Sequence, residues 1–209
     1  MRGRLITLEG GEGAGKSTLL KGMVSALSAR GADVVATREP GGSPLAETVR
    51  DLVLNPPGGH TWSPLAEALL MNAARSDHID RLIMPALEAG TTVISDRYSD
   101  STRVYQSAGA RVPMDQLVAL ETVVTAEARP DLTLILDAPP EELAKRRDAR
   151  GGPADAFESR NMAFHEAVRA GFLEIARAEP ERCVVLNALA SPSRLLERAL
   201  GAIDSRLHL

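Results

Sequence analysis

The chain predicts an α/β fold of three layers, a five-stranded parallel sheet flanked by helices. Three observations carry that prediction. Short apolar runs alternate with helical-period segments of ten or more residues, the pattern of successive strand–helix units. The first run breaks into a glycine-rich turn that opens a helix, and the second and third runs each end beside an arginine.

Leu5–Leu8 reads as the first strand, apolar enough to be covered on both faces. Lys16–Arg30 is a helix with Leu19, Leu20, Met23, Val24 and Leu27 on one stripe, closed by Gly31. Asp33–Thr37 is the second strand and runs into Arg38-Glu39-Pro40-Gly41-Gly42, a loop forced by proline and two glycines. A short helix follows over Leu45–Leu54, then a surface loop at Asn55–Gly59. Ser63 caps a long helix with Pro64 in its first position, extending to about Glu88 with a bend at Pro85. Trp62, just before that cap, is expected to staple the helix start. The remaining strands are Thr91–Ser95, Asp131–Leu136 and Arg182–Leu186, the last holding the single cysteine, Cys183, as a core thiol. Gly151–Ala156 has the composition of a mobile segment between an arginine-rich helix and a helix beginning near Phe157. It is taken as part of a lid at about 146–157 within a single domain spanning 1–209. Ser191–Leu207 is the final helix.

Residues 4–18 carry the chemistry. Gly10, Gly15, Lys16 and Ser17 fit G-x-x-x-x-G-K-[ST], a phosphate-binding loop between strand and helix, so the expected fold is of the P-loop NTPase type. Backbone N–H groups across Gly10, Gly11, Glu12, Gly13, Ala14 and Gly15 curl into an anion nest, and the positive end of the next helix, at Lys16, Ser17 and Thr18, points to the same place. Lys16 is expected to reach the outer phosphates of a bound ligand, and the Ser17 hydroxyl to hold Mg²⁺.

Composition narrows the rest. At 209 residues the chain is long enough to bury roughly 70% of its unfolded surface. One cysteine permits no intramolecular disulfide, and neither a signal segment nor 18 consecutive apolar residues occur, which predicts a cytoplasmic protein that does not enter a membrane. With 24 basic against 28 acidic residues there is no general field for nucleic acid. His60, His78, His165 and His208 show no metal-binding spacing.

Phosphoryl transfer needs positive charge spread over the migrating group. Arg38 and Arg97 lie at strand carboxyl ends, the ligand side of an open parallel sheet, and Arg146, Arg147 and Arg150 lie on the helix after the fourth strand. Arg146 and Arg150 are four apart and share a helix face, from which they can supply the arginine that the loop lacks. In GTPases such an arginine is worth about 10³–10⁵ in rate. Asp96 and Asp137 both end strands, and spacing alone does not choose between them as the carboxylate that orients Mg²⁺. Arg97 beside Asp96 has a structural ion pair as its alternative role.

Thr37-Arg38-Glu39-Pro40-Gly41-Gly42, Asp96-Arg97-Tyr98, Ser101-Thr102 with Tyr105-Gln106, and Asp131-Leu132-Thr133-Leu134 with Leu136-Asp137 together resemble thymidylate kinase, of the bacterial type with lid arginines. The resemblance runs from residue 4 to about 180. It implies transfer of the γ-phosphoryl group of ATP to dTMP, giving dTDP for dTTP biosynthesis, with Lys16, Arg97, Arg146 and Arg150 as catalytic residues. It further implies that Arg38 and Arg97 hold the acceptor phosphate, Asp96 organises Mg²⁺, and Glu12 approaches the acceptor 3′-hydroxyl. Arg75 would bond a base carbonyl, Thr102 the base edge, and Tyr105 would crowd the 2′ position with Gln106 beside it. A homodimer is expected from the same resemblance and from the Ala- and Leu-rich helix at Leu65–Leu87.

Two departures stand out. Met71 occupies the position where the family has a phenylalanine stacked on thymine, so it either covers the base with a thioether or fills core. Asp155-Ala156-Phe157-Glu158 lacks an arginine that the family's lid carries, and Asp148 stands where relatives place a basic residue, leaving Arg147 as the candidate compensation.

Overall fold

The computed structural model describes residues 2–108, 111–151 and 156–208, the side chain of Arg150 excepted. Strands β1 (Leu5–Gly10), β2 (Val34–Arg38), β3 (Thr92–Asp96), β4 (Leu132–Asp137) and β5 (Cys183–Asn187) form one parallel sheet in the order β2-β3-β1-β4-β5. β1 therefore lies at the centre, with Leu8 opposite Asp96 on one side and Gly10 opposite Leu136 on the other.

The expected alternation of strand and helix is present, and it covers both faces of the sheet. Ile6 and Leu8 face α1 (Lys16–Ala29) and α9 (Pro192–Leu207), packing with Leu19, Met23, Leu27, Ala199 and Ile203. Leu5 and Val93 face the opposite layer, where Ile79, Ile83, Leu87 and Tyr98 cover them. Each such side chain, wholly removed from water, contributes about 1.5–3 kcal/mol. On that second face α5 (Ser99–Ser107) and α8 (Met162–Ala178) enclose Ile135 with Val104, Tyr105, Phe164, Val168 and Phe172.

Helix starts follow the expected capping chemistry. Ser43, Ser63, Asn161 and Ser191 each accept a backbone N–H three residues on, for α2 (Pro44–Leu54), α3 (Pro64–His78), α8 and α9. Several boundaries differ from the sequence expectation. The long helix from Pro64 bends before Pro85: α3 ends at His78, a π turn occupies Ile79–Ile83, and α4 (Met84–Glu88) resumes beyond it. The Met84 N–H reaches back five residues to the Ile79 carbonyl. Pro85 has no N–H to offer the carbonyl four residues before it, so the ladder widens one turn upstream.

The helix expected near Phe157 begins instead at Met162, because Phe157 is drawn into the aromatic cluster around Tyr105 and the chain turns until Asn161 caps it. Trp62 is not a staple within α3. Its indole N–H donates to the Leu52 carbonyl at 2.9 Å, tying α2 to the start of α3, while the position a staple would meet holds Glu67. Helix α6 (Met114–Thr125) and the arginine-rich α7 (Pro140–Arg150) complete the described elements. Of the expected lid, residues 152–155 lie outside the described residues. Among the described residues no helix is long and apolar enough to cross a membrane.

Candidate active site

The carboxyl ends of β1, β2 and β3 open into a cavity of about 470 Å³. Its floor is the phosphate loop. Gly10 takes φ +130 and lies so close to β4 that a Cβ there would sit 2.4 Å from the Leu136 carbonyl oxygen, so only glycine fits. Glu12, Gly13, Gly15, Lys16, Ser17 and Thr18 line the cavity. Gly10 and Gly11 do not; they border a separate cavity of about 20 Å³, and the Ala14 methyl is packed into the core beneath. Lys16 folds back over the loop, its Nζ donating to the carbonyls of Gly10 at 3.1 Å and Gly11 at 3.0 Å. Burial first, and Arg97 second, lower the Lys16 pKa against the opposing pull of Glu12 and Asp96.

Ser17 Oγ donates to Asp96 Oδ2 at 2.8 Å, across the β1–β3 register that sets the start of α1 beside the end of β3. Asp137, the other strand-end carboxylate, is held by Arg169 through two hydrogen bonds of 2.7 and 2.9 Å, away from the main cavity. Ser17 and Asp96 thus form the oxygen pair at the loop. Among the described residues no cluster of three metal-binding side chains occurs; Mg²⁺ held by one carboxylate and substrate phosphates requires none.

Arg97 does not pair with its neighbour Asp96. It adopts φ 72, which swings its guanidinium across the site to Glu12, Ser101 Oγ at 2.9 Å and the Tyr105 hydroxyl at 3.0 Å. Burial opposes the Arg97 charge, but Glu12 foremost, with Tyr105, Glu9 and Asp96, outweighs it and raises the pKa. The Glu12 carboxyl responds in kind: burial favours its proton, yet Arg97 and Lys16 bring it down to about 2.

The wall opposite the loop holds Arg38, Met71, Arg75, Thr102, Tyr105 and Gln106. Arg38 sits at the exposed rim, its Nη2 shared between the two Glu47 oxygens at 2.9 and 3.1 Å. Arg75 is buried, donating to Glu39 at 2.7 Å, Asn72 at 3.3 Å, the Tyr98 carbonyl at 3.2 Å and Thr102 Oγ1 at 2.9 Å. Gln106 is held by Glu67 at 2.9 Å. The Tyr105 ring meets Phe157 edge-on at 5.6 Å, and burial raises the Tyr105 hydroxyl pKa.

Of the helix arginines, Arg146 lines the cavity while donating to the Ala188 carbonyl at 2.9 Å. Arg147 reaches the loop from the side of the smaller cavity, where its Nη1 lies 3.2 Å from the Glu12 carbonyl. The Arg150 side chain lies outside the described residues. Sequence reasoning missed Phe157, Leu54, Arg50 and Ser101 as lining residues. Phe157 was legible, being one of three phenylalanines and falling in the lid; Leu54 and Arg50 carried no signal, since they lie on a helix whose facing only the fold determines.

The comparisons with known proteins give the family. The family model described as thymidylate kinase matches residues 8–199. A thymidylate kinase of Caulobacter vibrioides is 50% identical over 208 residues, covering 100% of this chain and 99% of the relative. One from Bradyrhizobium sp. strain ORS 278 is 47% identical over 208 residues, covering 99% and 92%. The crystal structure of thymidylate kinase from Ehrlichia chaffeensis superimposes with a TM-score of 0.80 at 29% identity, covering 97% of this chain and 100% of that one. Matched along nearly its whole length, with half of its residues shared with one relative, the chain belongs to the thymidylate kinase family.

Proposed function

We propose that the cavity brings two nucleotides together with their phosphates meeting between the loop and Arg97. As a member of its family the chain is an ATP-dependent phosphotransferase that phosphorylates dTMP to dTDP. The observation that carries the assignment of its residues is the convergence, in one cavity of about 470 Å³, of the phosphate loop with Arg38, Arg97, Arg75 and Thr102 and the apolar side chains of Leu54, Met71 and Phe157.

ATP phosphates lie along the amides of residues 10–15 and at the start of α1. Lys16 exchanges its loop carbonyls for the outer phosphates, and Arg146 and Arg150 close from α7. The dTMP phosphate is gripped by Arg38 and Arg97; Arg38 leaves Glu47 to do so. Thr102 and Arg75 meet the base, Met71 covers it, and Tyr105 with Gln106 fills the space beside the sugar. Ionised Glu12 keeps Arg97 oriented and reaches toward the 3′-hydroxyl. An oxygen of the dTMP phosphate attacks the γ-phosphorus, the new P–O bond forms as the bond to the β-phosphate oxygen breaks, and ADP leaves. Lys16 and the guanidinium groups offset the spread charge, and a closed lid keeps water from accepting the phosphoryl group.

The hard oxygen donors at Ser17 and Asp96, 2.8 Å apart at the loop, suit Mg²⁺. Ser17 and Asp96 would hold it, and it would supply positive charge that offsets the charge on the transferring group. We further assign one domain with its lid at about 146–157, a cytoplasmic location and a homodimer. Leu65 and Leu69 on α3 and Met114 and Val118 on α6 form an exposed apolar face in support of the last.

A panel of dTMP, dUMP, dCMP and dGMP with ATP tests the acceptor assignment by ADP release. Turnover is expected to be greatest with dTMP. Preference for dCMP or dGMP would overturn the base contacts.

A further inference from the structure

Behind Arg75 lies an enclosed chain of polar side chains that phosphoryl transfer itself does not use. Thr37 comes from β2, Glu39 from the loop after it, and Arg75 and His78 from one face of α3, three residues apart. Arg75 Nε donates to Glu39 Oε2 at 2.7 Å. The other Glu39 oxygen lies 3.1 Å from His78 Nδ1, and His78 Nε2 lies 2.7 Å from Thr37 Oγ1. Arg75, Glu39 and Thr37 are 3%, 4% and 8% exposed and His78 is 0% exposed, so only the Arg75 and Glu39 end of the chain borders the cavity and His78 has no solvent as an alternative partner.

The donor and acceptor pattern has a direction. Glu39, ionised against Arg75, only accepts; His78 Nδ1 therefore carries the hydrogen, and Nε2 accepts from the Thr37 hydroxyl. The loop at Gly41 and Gly42 closes directly over this chain. A Cβ on Gly42 would fall 2.3 Å from His78 Nε2 and 2.6 Å from Thr37 Oγ1, at a φ of +89. With Nε held by Glu39 and Nη2 by Thr102 and the Tyr98 carbonyl, the guanidinium plane has no freedom to turn.

We infer that His78 is a positioning residue for acceptor-base selection. Through Glu39 it fixes the plane of Arg75, so that the one Nη1 N–H left by Glu39, Asn72, Thr102 and the Tyr98 carbonyl accepts a pyrimidine bearing a carbonyl and rejects one bearing an amino group there. This rests on the proposed contact between Arg75 and the base. A fixed donor rejects a base that presents another donor because one of the two is left buried without a partner.

The test is steady-state kinetics of the full chain with dTMP and dCMP. His78→Phe keeps bulk and removes both hydrogen bonds. It is expected to raise the KM for dTMP by about tenfold and to lower the dTMP/dCMP ratio of kcat/KM by a similar factor. The kcat with dTMP and the KM for ATP are expected to stay within about threefold. His78→Asn, whose amide nitrogen takes the place of Nδ1, is expected to restore most of the ratio. Thr37→Val tests the far end of the chain without disturbing volume, with a shift of about threefold in the same direction, and serves if His78→Phe does not fold. Unchanged KM and ratio in the folded variants, or equal losses with both acceptors, would overturn the role of His78. Arg75→Ala separates the two ideas: a ratio it leaves untouched removes the base contact itself, whereas a ratio that falls with Arg75→Ala but not with His78→Phe or Thr37→Val leaves the contact standing and removes His78.

Discussion

Glu9 and Glu12 stand three residues apart, and their surroundings drive them in opposite directions. Glu9 is wholly buried at the end of β1, where it accepts from the Tyr98 N–H at 2.8 Å and Ser101 Oγ at 2.6 Å. Burial foremost, and the Asp100 carboxylate next, push it up to about 8. Glu12 lies among cations and is held near 2, so its pairing with Arg97 persists at every pH above that value. The consequence for Glu9 has a definite sign. Between the ordinary carboxylate value of 4.5 and about 8, the folded chain keeps a proton that the unfolded chain has released. Stability from this residue is full below that window and declines as pH rises through it. Glu9→Gln mimics the protonated form, so the fall in urea midpoint from pH 5 to pH 8.5 is expected to be smaller in the variant than in the parent protein; an equal fall in both would remove Glu9 as the cause. In sequence Glu9 was unread, because it stands at the edge of the phosphate-loop motif, just past the run Leu5–Leu8 taken as the strand. Only the strand's two-residue period places Thr7 and Glu9 together on the α5 side. Arg97 shows the same limit. Adjacency left a local pair with Asp96 as its alternative role, and the φ of 72 gives it Glu12 as ion partner instead.

At the scale of elements, α7 is packed against the phosphate loop as closely as side chains allow. A Cβ on Gly13 would meet the Leu143 carbonyl oxygen at 2.9 Å and Arg147 Cγ at 3.2 Å, and Arg147 bonds the Glu12 carbonyl. The helix that bears the lid arginines is thereby joined to the loop that cradles ATP. Arg147→Ala is expected to raise the KM for ATP by about three- to tenfold while leaving the KM for dTMP unchanged, a split that initial-rate measurements resolve. Arg147 thus faces the loop from the side of the smaller cavity and does not line the main one. Much else at this scale was legible: the succession of strands and the serine–proline helix starts at Ser63 and Ser191 are local chemistry and form as expected, whereas the caps at Ser43 and Asn161 were not read. The π turn at Ile79–Ile83 was not, since the effect of Pro85 appears upstream of the proline itself. Helices α5 and α6 were also missed; α5 is a mostly polar stretch whose buried face, with Asp100, Thr102 and Gln106, is satisfied by partners distant in sequence.

For the whole molecule, the face shared by α3 and α6 has the larger implication. Leu65 and Leu69 remain 46% and 48% exposed beside Met114 at 42%. Sedimentation at micromolar concentration is expected to give twice the mass of one chain, and Leu69→Asp to shift the particle toward a single chain; a parent protein already at one chain's mass would remove the dimer. The sheet carries a different consequence. β1 is synthesised first yet stands between β3 and β4, and Gly10 rests against the backbone of Leu136. The chain must therefore be made through Asp137 before the phosphate loop that follows β1 acquires its wall on the β4 side. The floor of the site is thus framed by a strand that lies far downstream in the chain, and its geometry is completed only when that neighbour has docked.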